Sequence, residues 1–136
     1  MNRIVTVSAV AFLNQNNELL TVRKRNSQRF RLPGGKPDDG ETPLETAIRE
    51  VREETGIEVP SSALTSLGRW LGEAANDDAD QVCADLYLAD GLWQAAPQAE
   101  IAELRWIPLD ADGPELAPLL RHFLLPTLRD RFISQP

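Results

Sequence analysis

The sequence predicts an α/β fold, a layered sandwich of helices around a mixed β-sheet. Segments rich in apolar and β-branched residues alternate unevenly with segments of helical periodicity, which is typical of mixed α/β architectures. The chain has 136 residues, a length that fits one domain spanning residues 1–136. Hydrophobic residues make up 42% of the sequence, which is enough to build one buried core.

Five short segments are predicted to be strands, because they are rich in apolar residues and bounded by turn-forming residues. They are Ile4 to Leu13, Glu18 to Lys24, Leu64 to Leu71, Val82 to Ala89 and Leu104 to Leu109. Four polar residues, 14–17, separate the first two segments and predict a β-hairpin between them. The acidic and polar residues 72–81 are expected to form an exposed loop.

A helix with well-defined ends is predicted in the middle of the chain. Thr42 is a suitable N-cap, Pro43 suits the first helical position, and Glu45 completes a capping box. Gly56 ends the helix as a left-handed glycine does. The stripe expected to face the core consists of Leu44, Ala47, Ile48 and Val51.

A second helix is predicted near the end of the chain, from Pro114 to Phe132. Pro118 would lie in its first turn, and Pro126 would mark a kink or a break.

The composition limits the classes of function that the chain can have. Acidic residues outnumber basic residues by 21 to 14, a balance that does not favour binding to duplex nucleic acid. No segment is long and apolar enough to be a membrane span, and the apolar N-terminal stretch lacks a cleavage signal. We therefore expect a cytoplasmic protein that binds neither nucleic acid nor membrane.

Three glutamates carry the chemistry that the sequence suggests. Glu50, Glu53 and Glu54 have the spacing i, i+3 and i+4, so they share one face of the predicted helix, opposite its apolar stripe. Stacked like charges repel each other, and carboxylate oxygens are the ligands that Mg²⁺ and Mn²⁺ prefer. Gly34 and Gly35 let the loop backbone approach closely, so that a carbonyl could join the metal ligands. Alternatively, the glutamates form a solvated face that pairs with neighbouring arginines.

Two other sites that use this type of loop do not fit. A Walker-type phosphate loop requires Lys followed by Ser or Thr, whereas Lys36 is followed by Pro37. An EF-hand requires alternating ligands, and the adjacent Asp38 and Asp39 do not provide them.

The segment Gly35 to Ile57 resembles the Nudix box, G-x5-E-x7-R-E-U-x-E-E-x-G-U, in which U is aliphatic. Every specified position is filled, by Gly35, Glu41, Arg49, Glu50, Val51, Glu53, Glu54, Gly56 and Ile57. The preceding Leu32-Pro33-Gly34-Gly35 and the later Arg105-Trp106-Ile107-Pro108-Leu109 are also typical of the family. The resemblance implies a Nudix-type α/β/α sandwich around a mixed sheet.

The resemblance also implies roles for individual residues. Glu50 and Glu54 would bind Mg²⁺ or Mn²⁺, with Glu53 as a further ligand or an outer residue. Arg49 would orient a glutamate, and a glutamate would act as the general base. Family members often add a carboxylate from the loop before the last strand. Glu100 lies there, with Glu103 as second choice, although each could also be a plain surface residue.

Basic residues just before the box are candidates for binding the substrate. Arg23, Arg25 and Arg31 could grip phosphates, and Lys36 follows the paired glycines. Alternatively, the basic run protects an edge strand from aggregation. Phe30 stands where relatives often carry an aromatic residue, so it could stack on a base or pack in the core.

The predicted function is a metal-dependent pyrophosphohydrolase of the Nudix hydrolase family. Its expected partner is a small nucleotide-like diphosphate, and the aromatic-x-Leu-Pro-Gly-Gly sequence resembles MutT-like enzymes that act on nucleoside triphosphates. ADP-ribose or a nucleotide sugar is the alternative substrate. A nucleotide-binding Nudix module without catalysis is the alternative function, and a homodimer is left open.

Overall fold

The computed structural model describes residues 3–74 and 79–132. The strands are β1 (Ile4–Ala11), β2 (Leu19–Lys24), β3 (Gly34–Gly35), β4 (Leu64–Glu73), β5 (Gln81–Ala89) and β6 (Ile101–Ile107). The helices are α1 (Pro43–Thr55) and α2 (Leu125–Phe132), with a 3-10 turn at Ser61–Ala63 and a π-helical turn at Leu120–Leu124. None of the helices within the described ranges is long and apolar enough to cross a bilayer.

The strands form two sheets, and the larger one is mixed as predicted. Its order is β3-β1-β5-β4, in which β1 and β5 are parallel and the other neighbours are antiparallel. The smaller sheet pairs β2 with β6 in antiparallel register, with a bulge at Arg23 and Lys24. The loop predicted for residues 72–81 is shorter, because β4 extends to Glu73 and β5 begins at Gln81; residues 75–78 lie outside the described part.

The predicted hairpin between the first two strands is confirmed only at its turn. The chain pairs there through an antiparallel bridge between Leu13 and Leu19, with bonds of 3.0 Å from the Leu20 N–H to the Phe12 carbonyl and from the Asn14 N–H to the Glu18 carbonyl. The remaining length of β1 is hydrogen-bonded to β3 on one edge and β5 on the other. Both edges of β1 are thus occupied by segments distant in sequence, and β2 joins a different sheet.

The predicted ends of α1 are confirmed. The Thr42 hydroxyl accepts the Glu45 N–H at 3.2 Å, and the Glu45 carboxylate accepts the Thr42 N–H at 2.9 Å, so the capping box is complete. Gly56 adopts φ 76°, and its N–H donates to the Arg52 carbonyl at 2.9 Å. A left-handed conformation of this kind is costly for residues with a side chain, which is why glycine ends the helix.

The face that α1 buries differs in part from the prediction. Ala47 and Val51 are fully buried, whereas Leu44 and Ile48 are only half-buried. Thr46, Glu54 and Thr55 are buried as well. The expectation that all three box glutamates lie opposite the apolar stripe is therefore wrong for Glu54, which follows Val51 by three positions and shares its face.

Two cores lie on opposite faces of the larger sheet. Alternation along β1 sends Ala9 and Ala11 to one core and Val10 and Phe12 to the other. The first core contains the buried leucines of α2 and of the π-helical turn, and the second contains the apolar residues of α1. This layering of helices on both faces of a mixed sheet agrees with the predicted sandwich.

The last helical segment begins later than predicted. Residues 114–117 form a turn and a short bridge, in which the Ala117 N–H donates to the Phe30 carbonyl at 2.8 Å. The π-helical turn at Leu120–Leu124 ends two residues before Pro126. Proline cannot donate a backbone hydrogen bond and its ring crowds the preceding turn, so a wider turn at this point relieves the clash.

Candidate active site

Three box glutamates of α1 lie at different depths. The Glu54 side chain is 8% exposed, that of Glu50 is 17% exposed, and that of Glu53 is 49% exposed. The Glu54 carboxylate accepts the Gly34 N–H at 2.9 Å and lies 3.5 Å from the Arg31 guanidinium. The helix thus presents one exposed and two sheltered carboxylates next to β3.

Close packing requires glycine at position 34 and places Gly35 directly against the Glu50 side chain. A Cβ atom on Gly34 would overlap the backbone of Ser8 and Ala9, and a Cβ atom on Gly35 would overlap the Glu50 carboxylate. Because these positions carry no side chain, the backbone of β3 reaches the carboxylates of α1 directly. The structure thereby brings Gly35 next to the glutamates, as the sequence led us to expect.

Burial and neighbouring charges raise the pKa values of two of the glutamates. Burial, together with the charge of Glu54, raises the pKa of Glu50 to about 7, despite the opposing attraction of Arg49. Burial also raises the pKa of Glu54, against the stabilising effects of the Gly34 N–H and the Arg31 charge. Both carboxylates are therefore harder to ionise here than in water, mainly because they are sheltered from solvent.

A compact network around Arg49 ties the loop before α1 to the helix. The Arg49 guanidinium donates to both carboxylate oxygens of Glu41, at 2.7 and 2.9 Å, and to the Lys36 carbonyl at 2.9 Å. It also donates to Glu53 at 3.3 Å. These bonds lower the pKa of Glu41 to about 2 and raise the pKa of Arg49. Arg49 thus orients Glu41 and Glu53 simultaneously.

The residues present have the chemistry that a divalent cation requires. Glu50, Glu53 and Glu54 supply hard oxygen donors, and both the burial of Glu50 and its repulsion from Glu54, which raise the pKa of Glu50, would be offset by a bound cation. Within the described residues, no group of three or more acidic, histidine or cysteine side chains is arranged so that it could hold a metal ion. The chemistry of the donors nevertheless suits Mg²⁺ or Mn²⁺, and the carboxylates are engaged by Gly34, Arg31 and Arg49.

A cleft adjoins these carboxylates at the paired glycines. Its cavity volume is about 110 Å³, which is smaller than a typical ligand pocket, and the cleft is partly open to solvent. Its walls come mainly from aliphatic residues of β1 and the segment before the π-helical turn, while Arg31, Gly34, Gly35 and Lys36 belong to the end next to α1. The aliphatic wall includes Val5, Val7, Leu32, Val82, Ala117, Pro118, Leu119 and Leu120.

The structure separates the basic residues that were predicted to bind substrate. Arg31 and Lys36 line the cleft. Arg23 is engaged elsewhere, since it donates to the Ser27 carbonyl at 3.0 Å and lies 3.5 Å from Glu103. Arg25 is exposed, and its backbone N–H donates to the Glu100 carbonyl at 3.0 Å. The cleft therefore gathers two of the four predicted cations.

Phe30 packs in the core. The sequence had left open whether its ring packs there or stacks on a base. Its side chain is 3% exposed and belongs to the core beneath α2. The Arg105 guanidinium lies 4.2 Å from the centroid of its ring, a cation–π distance. Stacking of a base on this ring would require Arg105 to be displaced.

Glu100 directly precedes β6 and Glu103 lies within it, and the surroundings of the two side chains differ. The Glu100 side chain is 81% exposed and lies 3.9 Å from the Lys24 ammonium, whose charge also acts on Glu54. The Glu103 side chain is 39% exposed and lies 3.1 Å from Arg105 as well as close to Arg23. Glu100 is therefore the freer of the two carboxylates.

Several contributors to the site could not be identified from the sequence. The Gly34 N–H and the aliphatic wall of the cleft depend on the pairing of β1 with β3 and β5, which joins residues far apart in the chain. Lys24 is recognisable only as one member of a basic run.

Comparison with known proteins identifies the family. Residues 2–125 match the NUDIX domain. The 8-oxo-dGTP diphosphatase of Escherichia coli (strain K12) is 40% identical over 48 residues, which cover 32% of this chain and 37% of that protein. The CMP-5'-(N-acetyl-N-hydroxy-3-aminopropyl)phosphonate hydrolase of Streptomyces rubellomurinus is 38% identical over 95 residues, covering 68% of this chain and 42% of that protein. The matched segments thus span less than half of these relatives.

Solved structures show the same fold. The MutT NUDIX hydrolase from Burkholderia pseudomallei superimposes with a TM-score of 0.72 at 22% identity, covering 87% of this chain and 93% of that chain. A likeness at this level of identity bears on the fold alone. Together with the domain match and a box in which every specified position is filled, it shows that the chain belongs to the Nudix hydrolase family.

Proposed function

We propose that this chain is a divalent-metal-dependent pyrophosphohydrolase that cleaves a phosphoanhydride bond of nucleoside triphosphates. The observation that carries the proposal is the contact between the glutamate face of α1 and the aliphatic cleft, which share Gly34 and Gly35. A flat base and its sugar suit the aliphatic wall, and the phosphates would extend over Gly35 and Lys36 towards the glutamates.

The bound metal would lower the pKa of a water molecule and neutralise charge that develops on the phosphate oxygens. Glu50 and Glu54 would hold it, and Glu53 would act as a further ligand or as an outer partner under the control of Arg49. A carboxylate, with Glu100 as the candidate from outside the box, would take the proton of the attacking water. The water oxygen forms a bond to phosphorus as the bridging P–O bond breaks, leaving a monophosphate and pyrophosphate.

The names of relatives point in the same direction but are not evidence about this chain's substrate. One relative is named for 8-oxo-dGTP and another for a CMP-linked phosphonate, and both names contain a nucleotide. The aliphatic cleft and the adjoining Arg31 and Lys36 support a substrate with a nucleoside and a phosphate chain, as in a nucleoside triphosphate.

The test is a panel of nucleoside triphosphates, ADP-ribose and nucleotide sugars, assayed with Mg²⁺ or Mn²⁺ and again with a chelator. We expect triphosphates to give a monophosphate and pyrophosphate, and chelation to abolish turnover. Preferential cleavage of ADP-ribose or a nucleotide sugar would replace the proposed substrate. Absence of turnover with all compounds, together with measurable nucleotide binding, would instead favour a binding module. Full activity in chelator would contradict the role of the metal.

A further inference from the structure

Two arginines contact the box glutamates in very different ways. Arg49 makes a forked pair with Glu41 at 2.7 and 2.9 Å, the distances expected of strong charge-assisted hydrogen bonds. Arg31 approaches Glu54 with a single nitrogen at 3.5 Å, at the long limit of such a bond. The Arg49–Glu41 pair is therefore strong and bidentate, whereas the Arg31–Glu54 pair is a weak contact.

The Arg31 guanidinium is also incompletely satisfied. Its Nε atom is buried and has no hydrogen-bond partner, the single side-chain atom in this condition within residues 3–74 and 79–132. The backbone of Arg31 is nevertheless fixed, because it exchanges hydrogen bonds of 2.8 and 2.9 Å with Val22. A buried donor without a partner is costly and calls for a functional explanation. The Arg31 guanidinium is therefore weakly held, whereas the Arg31 backbone is fixed in place.

Arg31 is placed where it can compensate the charge of Glu54. Glu54 is buried, so its negative charge needs a compensating cation. Lys24 acts on Glu54 as well, but its ammonium is paired with Glu100 at 3.9 Å. Arg31 is the cation in direct contact with Glu54, and it also lines the cleft.

We propose that Arg31 is a built-in substitute cation for Glu54, which stabilises the carboxylate before metal binds and competes with the metal for it. This inference rests on the proposed role of Glu54 as a metal ligand. When a divalent ion takes Glu54, the Arg31–Glu54 contact is lost or weakened, and the like charges of the two cations oppose each other. Arg31 therefore lowers the affinity of the site for metal and acts as a positioning residue.

The test is Mn²⁺ binding by titration calorimetry, without nucleotide, to the wild-type chain and to Arg31→Gln. Removal of a unit charge close to a divalent ion in high dielectric should tighten Mn²⁺ binding by roughly 5- to 15-fold, with the smaller value expected when salt screens the charges. Arg31→Lys, which keeps the charge, should remain within about 2-fold of wild type on the same argument. Arg131→Gln removes one exposed charge at the end of α2 and should also leave binding unchanged.

The direction of the change separates the two explanations of Arg31. If Arg31 merely holds Glu54 in place, Arg31→Gln will weaken Mn²⁺ binding, and this result or an unchanged affinity would overturn the inference. Arg31→Met retains the apolar stem and replaces the Gln variant if the latter does not fold. Wild-type and Glu54→Gln chains are titrated in parallel, and equal affinities for Mn²⁺ would overturn both this inference and the proposed metal-binding role of Glu54.

Discussion

Replacement of Glu54 by glutamine tests the metal site with little change in shape. The glutamine side chain retains an oxygen that can accept the Gly34 N–H, which Glu54 now accepts at 2.9 Å. It loses the negative charge and with it the contact to Arg31 at 3.5 Å. The substitution therefore removes a ligand for a hard cation while it preserves the packing between α1 and β3.

Two opposing effects set the stability of the metal-free variant. Loss of the Arg31 contact should cost about 1 kcal/mol, because this ion pair is long and Arg31 is 26% exposed. Loss of the repulsion between Glu54 and Glu50 should return a similar amount, about 1 kcal/mol. We therefore expect the melting temperature of the metal-free variant to stay within roughly 5 °C of the wild-type value.

The response to metal should then separate the two proteins. Metal at about ten times its dissociation constant stabilises a binding-competent fold by ~1.4 kcal/mol, or roughly 5 °C in a domain of this size. We expect this increase for the wild-type chain and for Glu58→Gln, an exposed position beyond α1, but not for Glu54→Gln. Turnover of the Glu54 variant should fall by roughly 10² or more.

The assay is differential scanning calorimetry with and without Mg²⁺, alongside steady-state turnover. A Glu54→Gln chain that melts far below wild type without metal would show that Glu54 is structural. A wild-type melting temperature that does not respond to metal would refute the assignment of the glutamate face as a metal site.

Three further predictions follow from the same geometry. Glu100→Gln should lower the turnover number by roughly 10² with little change in the Michaelis constant, and Glu103→Gln should be milder; silence of both variants in steady-state kinetics would remove the loop carboxylate from the mechanism. Gly35→Ala should lower turnover and weaken Mn²⁺ binding, because its Cβ would overlap the Glu50 carboxylate; unchanged calorimetric affinity would show that Glu50 can move without loss. The pKa of Glu41 is lowered to about 2, so the ionised Glu41 carboxylate stabilises the fold. This stabilisation is fully present above pH 4.5, the ordinary pKa, and is lost as the pH falls through about 2. Thermal melts should therefore show a smaller loss of stability between these pH values for Glu41→Gln than for wild type, and parallel curves would contradict the lowered pKa of Glu41.

The elements that the sequence predicts well are those built from neighbours in the chain. The capping box of α1 joins Thr42 to Glu45, and the left-handed Gly56 closes the helix four residues after Arg52. These interactions depend on spacing alone, so the printed sequence is sufficient to locate both ends of α1. The box glutamates could be placed on one helix for the same reason.

The partners of the strands could not be predicted in this way. The register of β1 with β5 pairs Ile4 with Gln81, and a hairpin with β2 is the simpler expectation from sequence. Which segment occupies each edge of β1 depends on the packing of both cores at once, since either pairing satisfies the backbone hydrogen bonds locally. The fate of Phe30 was undetermined for a similar reason, because the last helical segment and β6 decide what covers it.

By itself, the sequence determined which residues can bind a cation and that they lie on one helix, because side-chain chemistry and helical spacing are local properties. Only the tertiary structure decided that Glu54 is buried, that Gly34 and Arg31 hold it, and that Phe30 is covered by Arg105. Those outcomes depend on contacts across the sheet between segments distant in the chain. Burial and charge compensation are set by everything that packs around a group, so no local pattern can specify them.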